Sequence, residues 1–313
     1  MKKIAMVKDR TTYYPIFEKV FREYGFDIKL YDVWDQNQLD SLLYDSFDGF
    51  VWRAKHDPKI RNLARRFIYL FDQEFAIPTY PNWHAYWHYD DKIAQSLLFK
   101  KLAIPTPQTH VFVNKERAMA FAEQTDYPII YKSAHGAGSS NVGMLKNQRQ
   151  ARAYINKVFG RGVRTFFKEE SQKDYVYFQE FIPDNSGDYS IICSKDYVIR
   201  GFFRGNRTDA PFASGSGFVD IVELPKSLLD FGARINKQLN YDFMSYDLLK
   251  NKGDWLITEM GVIYGRREIS FYDQAFVYVK QNKEWQKHAP INDIERTARF
   301  LIHDVWNWTG GAA

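Results

Sequence analysis

A regular alternation of strand-like and helix-like stretches over residues 1–82 constrains the fold of this chain more than any other feature. Residues 3–8 (KIAMVK) form a short apolar run with the length of a buried strand. Residues 14–24 place Ile16, Val20 and Phe21 at helical spacing on one face, and Gly25 supplies a stop. Residues 26–33 alternate apolar and polar side chains. A helical run over 37–45, a strand over 47–54, a basic helix over 58–75 and a strand over 77–82 follow. Strand and helix in this rhythm predict a small doubly wound unit: a parallel sheet with right-handed crossovers.

The next residues read differently. A helix over 90–102, capped by Asp90 or Asp91, leads into the Pro-punctuated extended stretch 104–112. Asn114 caps a helix ending at Gln124, and 127–134 (YPIIYKSA) is a strand. It runs into a glycine-containing loop at 135–141 and a further strand at 142–145. After a helix ending near Phe159, strands are expected at 174–183, 188–204, 217–223, 243–250 and 254–259. Helices are expected at 226–238 and 292–307, so the chain beyond residue 82 reads as α+β, with no internal repeat.

Composition narrows the function classes. Net charge is +5, from 43 basic and 38 acidic residues, which suits an anionic ligand such as a nucleotide. No basic run stands out, so nucleic acid is the weaker reading. Cys193 is the only cysteine, which excludes an internal disulfide and a thiolate zinc site. No apolar run has the length of a membrane span, and the N-terminus lacks a signal-peptide pattern. The expectation is a cytoplasmic enzyme; the sequence says nothing of its oligomeric state.

Several residues carry chemistry. Lys132 ends an apolar strand, and the loop from His135 to Asn141 follows it, an arrangement that can surround a phosphate with ammonium and amide N–H groups. A lysine inside such a strand is costly without a partner. Asp247 and Glu259 are carboxylates set in apolar strands, where a metal ion or a basic side chain is expected beside them. Lys92 is either a solvated helix lysine or a ligand residue. Arg200 and Arg204 are either outward strand positions or anion ligands. Arg266 and Arg267 either bind a substrate carboxylate or form a surface turn. His84 and His88 have the spacing of a two-histidine metal pair, but with no third ligand in view they are read as packing among Trp83, Tyr86 and Trp87.

The order Lys92, Lys132 with its loop, Gln179-Glu180-Phe181-Ile182-Pro183, Asp188, Arg204, Asp247 and Glu259 resembles the ATP-grasp superfamily. It is most similar to the carboxylate–amine ligases typified by ribosomal-protein glutamate ligase, glutathione synthetase and D-alanine–D-alanine ligase. The resemblance spans about residues 84–265 and implies three parts. Residues 1–82 form the small α/β domain in front, 83–183 the central helix region and first nucleotide-binding lobe, and 184–313 the second lobe with metal and substrate sites.

The resemblance also implies roles. Lys92 and Lys132 hold nucleotide phosphates, and the loop with His135, Gly136, Gly138, Ser139 and Ser140 covers them. Gln179, Glu180, Phe181 and Ile182 form the hinge whose backbone at 180 and 182 reads adenine. Asp188 takes the ribose, Arg204 the transferred phosphate, and Arg200, Arg266 and Arg267 the substrate. Asp247 and Glu259 bind Mg2+. The implied activity is ATP-dependent joining of a small-molecule or peptide carboxylate to an amine through an acyl phosphate, releasing ADP and phosphate. One departure bears on this: where the family reads Glu-x-Asn, this chain has Glu259-Met260-Gly261, which removes one oxygen ligand. Other phosphoryl-transfer chemistry, or nucleotide binding with activity lost, is the alternative.

Overall fold

A computed structural model describes residues 1–8, 14–136, 141–195, 198–208, 211–213, 218–264, 274–290 and 293–308. The chain divides into two compact units. One comprises residues 1–87, 262–277 and 288–313, the other residues 88–261 and 278–287.

The first unit begins with β1 (Lys3–Lys8), α1 (Tyr14–Glu23), β2 (Asp27–Asp32), α2 (Gln36–Tyr44), β3 (Gly49–Val51), α3 (Pro58–Tyr69), β4 (Thr79–Tyr80) and α4 (Trp83–Tyr86). Its strands pair in parallel in the order β2-β1-β3-β4, as the strand–helix rhythm predicts. Local chemistry sets the boundaries. Gly25, at φ 77, ends α1, with its N–H donating to Arg22 O at 2.9 Å. Asp35 caps α2, and Asp57 caps α3 ahead of Pro58. α1 buries Phe17, Val20 and Phe21, so Phe17 takes the core position expected of Ile16. The strands are shorter than the runs 47–54 and 77–82, because only their central residues pair.

In the second unit, α5 (Lys92–Lys101) is capped by Asp91, whose carboxylate accepts from Ile93 and Ala94 N–H. β5 (Thr109–Phe112), α6 (Lys115–Gln124), β6 (Ile129–Lys132), β7 (Val142–Leu145) and α7 (Gln148–Val158) follow. Next come the short β8 (Val163–Arg164) and β9 (Ser171–Gln172), then β10 (Val176–Glu180). An antiparallel sheet in the order β5-β10-β6-β7 buries Ile129, Val176 and Phe178 under Ala118, Ala122, Ile155 and Val158 of α6 and α7. That apolar layer fixes one wall of the site.

The stretch 188–204 holds β11 (Gly187–Ser194) and β12 (Val198–Gly205). With β13 (Val219–Asp220), β14 (Phe243–Asn251), β15 (Asp254–Gly261), β16 (Val277–Gln281) and β17 (Glu284–His288) they build a seven-stranded sheet. Its path runs β15-β14-β11-β12-β16-β17, with β13 beside β12. Helix α8 (Lys226–Leu239) lies on it, with Gly232 against Ile191, Cys193 and Ile199. Gln95 of α5 binds β15 at both backbone groups of Met260, donating to O at 2.7 Å and accepting from N–H at 3.1 Å.

The C-terminal helix α9 (Asp293–Phe300) belongs to the first unit, which differs from the single lobe expected over 184–313. The reason is its apolar face. α9 and the turn after it bury Ile294, Ala298, Leu301 and Ile302. Trp306 meets Phe21, Trp308 meets Phe26, and Arg299 donates to Tyr24 Oη at 3.0 Å. Among the described residues, no helix is long and apolar enough to cross a membrane.

Candidate functional site

The four-stranded and seven-stranded sheets of the second unit both line a cleft with about 920 Å³ of atom-free space, counted to its open mouth. Its lining brings together Lys92, Lys132, His135, Gly136, Gln179, Glu180, Phe181, Ile182, Asp188, Asp247 and Glu259, residues drawn from across 167 positions of sequence order, 92 to 259.

The floor is a charge network. β14 and β15 pair antiparallel with Asp247 opposite Glu259, so both carboxylates leave the same face of the sheet. Lys92, at the first turn of α5, reaches Glu259 Oε1 at 3.0 Å and donates to Gly136 O at 2.8 Å. Burial works against its charge, yet Glu259, Asp90 and Asp247 hold its pKa above the usual lysine range. Lys132 is buried opposite Tyr177, and its contact to Thr258 O is long, at 3.4 Å. Burial lowers its pKa to about 8, with Glu259 opposing and Lys92 adding to the fall. The two lysines thus share an acidic floor but differ in how well that floor pays for their charge.

Asp188 and Arg204 are register partners on β11 and β12. Arg204 Nε donates to Asp188 Oδ1 at 2.7 Å and Nη2 donates to Asp188 Oδ2 at 2.8 Å, a two-point contact. Arg204 Nη2 also lies 2.8 Å from Asp247 Oδ2, and Ser190 Oγ donates to Asp247 Oδ1 at 2.9 Å. Burial pushes the Asp188 carboxyl up to about 6 despite the pull of Arg204. Arg204 is opposed by burial but is held above its usual range by Asp247 and Asp188.

The hinge side is mostly backbone. Glu180 N–H donates to Gln108 O at 2.8 Å, and Gln108 N–H donates to Glu180 Oε2 at 3.1 Å. The Glu180 side chain therefore ties down the strand start. Gln179 Nε2 donates to Thr109 Oγ1 at 3.0 Å. Ile182, Phe181, Ile130, Pro107 and Leu249 give this end of the cleft an apolar lining. In the loop after β6, Gly136 has φ 114, and its N–H donates to Asp90 Oδ1 at 2.8 Å. Asp90, one of two expected caps, thus anchors this loop while Asp91 caps the helix.

Gly138, Ser139, Ser140, Arg266 and Arg267 lie outside the described residues. Arg200, expected at the substrate, is buried and is not part of the cleft lining. It shares a strand face with Arg204, but four residues at roughly 3.3 Å each carry it about 13 Å along the strand. His88 is a packed histidine, with Nε2 2.7 Å from Tyr241 Oη. Asn185, Asn206, Thr258 and Ser190 were missed from sequence. For Ser190 a signal existed: it lies two residues beyond Asp188, so it shares that strand's face.

A family model for the carbamoyl-phosphate synthase L chain ATP-binding domain matches residues 91–200. The solved structure of D-cycloserine synthetase DcsG superposes with a TM-score of 0.62 at 14% identity, covering 96% of this chain and 98% of that one. The chain has the ATP-grasp fold. A RimK domain ATP-grasp protein from Sphaerobacter thermophilus superposes with a TM-score of 0.59 at 16% identity, covering 84% of this chain and 92% of that one. Among curated proteins, the alpha-aminoadipate–LysW ligase LysX of Saccharolobus solfataricus is 21% identical over 164 residues, 52% of this chain. The match spans 57% of LysX, little more than half its length. The cleft thus lies within a chain of ATP-grasp fold.

Proposed function

We propose that this protein is an ATP-dependent carboxylate–amine ligase that forms ADP. The observation that carries the reading is the meeting of Lys92, Lys132, Asp247 and Glu259 in one cleft of an ATP-grasp fold. Two cations for phosphates and two facing carboxylates for a divalent cation are the charge pattern that ATP requires. LysX, named a ligase, and DcsG, named a synthetase, support this class of chemistry.

The donor set fits Mg2+. Asp247 and Glu259 offer hard carboxylate oxygens at the cleft surface, and Mg2+ needs few protein ligands because it keeps water and phosphate oxygens. Among the described residues no group of three His, Cys, Asp or Glu side chains could hold a metal ion, so an ion on Asp247 and Glu259 would need phosphate and water oxygens besides. When bound, the ion neutralises charge on the phosphates. Lys92 and Lys132 contribute ammonium groups at the same place. The apolar hinge end suits adenine, read by backbone at 180–182. The substrate carboxylate attacks the terminal phosphorus of ATP and ADP leaves, giving an acyl phosphate; the amine then attacks the acyl carbon, loses a proton and expels phosphate to leave the amide. This chemistry requires the cleft to hold these groups in line and to keep water from the intermediate.

The test is ADP release with Mg2+ and ATP over a panel of amino acids, sugar acids and small peptides. The reading expects release that needs both a carboxylate and an amine and yields an amide. A second reading, favoured by Gly261, is nucleotide binding without turnover. It expects a nucleotide-dependent rise in Tm and no ADP release with any pair.

A further inference from the structure

Strand β15, which carries Glu259, stands at the end of the seven-stranded path and pairs with β14 on one side. The pairing is not continuous. Leu248 faces Ile257 and Asp247 faces Glu259, so Thr258 is one residue more than β14 can match, a bulge. Were the register of Leu248 and Ile257 to continue, Asp247 would face Thr258, and Glu259 would turn with Tyr246 towards the buried side of the sheet. With the bulge, Thr258 and Glu259, neighbours in sequence, both line the cleft.

An edge strand leaves alternate N–H and C=O groups without a ladder partner, so the residues after the bulge need a hold from outside the sheet. Gln95 supplies it. Its Nε2 donates to Met260 O at 2.7 Å and its Oε1 accepts from Met260 N–H at 3.1 Å, as a further strand would. Nε2 also donates to His88 O at 3.1 Å. The reversed amide would set an oxygen against two carbonyls, so the orientation is fixed. Gln95 is buried, one turn after Lys92 on α5, and Lys92 reaches Glu259 Oε1 at 3.0 Å. One helix face thus grips two consecutive residues, Glu259 by charge and Met260 by its backbone.

We propose that Gln95 is the positioning residue of Glu259, holding the bulged end of β15 in the register that sets Glu259 opposite Asp247. The inference rests on the metal site proposed above. A divalent cation and its phosphates compete for Glu259 and Lys92, so the charged half of the grip changes when they bind. The amide half carries no net charge and stays. Gly261, two residues after Glu259, brings no side-chain oxygen, so an ion there depends on the placement of the two carboxylates. Gln95 binds backbone and does not line the cleft, so its effect on a cation passes through Glu259.

The experiment titrates the full chain with Mn2+ in the presence of ADP, read by electron paramagnetic resonance, and with AMP without metal, read by calorimetry. Wild type, Gln95→Met, Glu259→Gln and the double variant are compared, with Tm recorded for each. Met fills the volume of Gln without its amide. Gln95→Met is expected to lower Tm and to weaken Mn2+ binding about tenfold, the lower end for loss of a group that orients a metal ligand. AMP affinity is expected to stay within about twofold. In the Glu259→Gln background, Gln95→Met is expected to weaken Mn2+ binding no further, because the carboxylate it places is already gone. A general loosening of the fold would instead weaken AMP binding as well, or add to the loss in Glu259→Gln. Either result overturns the proposal, as does unchanged Mn2+ affinity in Gln95→Met. If Gln95→Met does not fold, Gln95→Asn, whose amide is one methylene short of Met260, carries the same expectations. Wild-type protein that binds no Mn2+, or Glu259→Gln that binds it as wild type does, overturns the metal site and this inference with it, a result read without any change at Gln95.

Discussion

Lys92 Nζ lies 3.0 Å from Glu259 Oε1, linking the first turn of α5 to the strand that carries the proposed metal ligand. The pair is asymmetric: the Lys92 side chain is 5% exposed and that of Glu259 30%. Removing the lysine leaves Glu259 with access to water, whereas removing the carboxylate leaves an ammonium buried beside a carbonyl. Lys92→Met is therefore expected to cost about 1 kcal/mol and Glu259→Leu about 3 kcal/mol, the larger value lying in the range for a stranded buried charge. Urea unfolding of the two variants decides the order. Equal losses, or the reverse order, contradict this reading of the pair.

Lys132 predicts a pH dependence. Its pKa falls from the usual 10.5 to about 8 in the folded chain because burial disfavours the charge. Between those values the unfolded chain binds more protons, so this group makes stability rise with pH across that window. Below about pH 8 the charge costs the fold its full penalty, about 3 kcal/mol from the size of the shift. Lys132→Met is expected to be more stable than wild type at pH 7, with the gap closing towards pH 10.5. A gap that does not vary with pH contradicts the assignment.

The same lysine predicts how nucleotide affinity varies. A phosphate beside Lys132 stabilises the charged form, so binding takes up a proton once the free protein has lost it. ATP affinity is expected to hold below about pH 8 and to fall above it. Calorimetry in buffers of different ionisation enthalpy measures the proton uptake directly. No uptake at pH 9 means that Lys132 does not face the phosphates.

How far the sequence reveals this arrangement depends on the interaction involved. The strand–helix rhythm of residues 1–82 was legible because each element repeats its own period and each helix needs one apolar face. Asp247 and Glu259 were legible as charges in apolar strands, since the cost of burial is local. The Asp188–Arg204 contact was not. It depends on the register of β11 against β12, a pairing between residues 16 positions apart that local periodicity does not specify. The place of α9 was hidden for a similar reason: its amphipathic pattern announces a buried face but not what covers it.

Gly187 gives a prediction about the scaffold of the site. It faces Gly205 across β11 and β12, and a Cβ there would lie 2.0 Å from Arg204 O and 2.5 Å from a Phe203 ring carbon. The nearest atom is backbone, so it cannot swing aside. Gly187→Ala is expected to destabilise the fold by roughly 2 kcal/mol or more, or to spread the two strands. Spreading would shift Arg204 relative to Asp188 and Asp247. A variant with unchanged Tm would show that the strands are not packed this closely.

Glu259 provides the test of the metal assignment. Asp247 and Glu259 are opposite each other on β14 and β15, and two carboxylates leaving one face repel unless cations lie between or beside them. Arg204 and Lys92 supply that compensation here, each within 3.0 Å of one carboxylate. A divalent cation must compete with these side chains, and the nucleotide phosphates that accompany it give them new anionic partners. Glu259→Gln keeps an oxygen for Lys92 but lowers the charge offered to the ion. It is expected to weaken the Mg2+-dependent part of ATP affinity by about tenfold, one charge-assisted contact. Binding of AMP without metal should change little, because the adenine end of the cleft is untouched. Gly261→Asn, which returns an amide oxygen to the position where the family carries one, is expected to leave Mg2+ affinity equal or modestly tighter. Titration of each variant with Mn2+ in the presence of ADP, followed by electron paramagnetic resonance, reads the cation itself. Full Mg2+ dependence in Glu259→Gln would place the ion elsewhere.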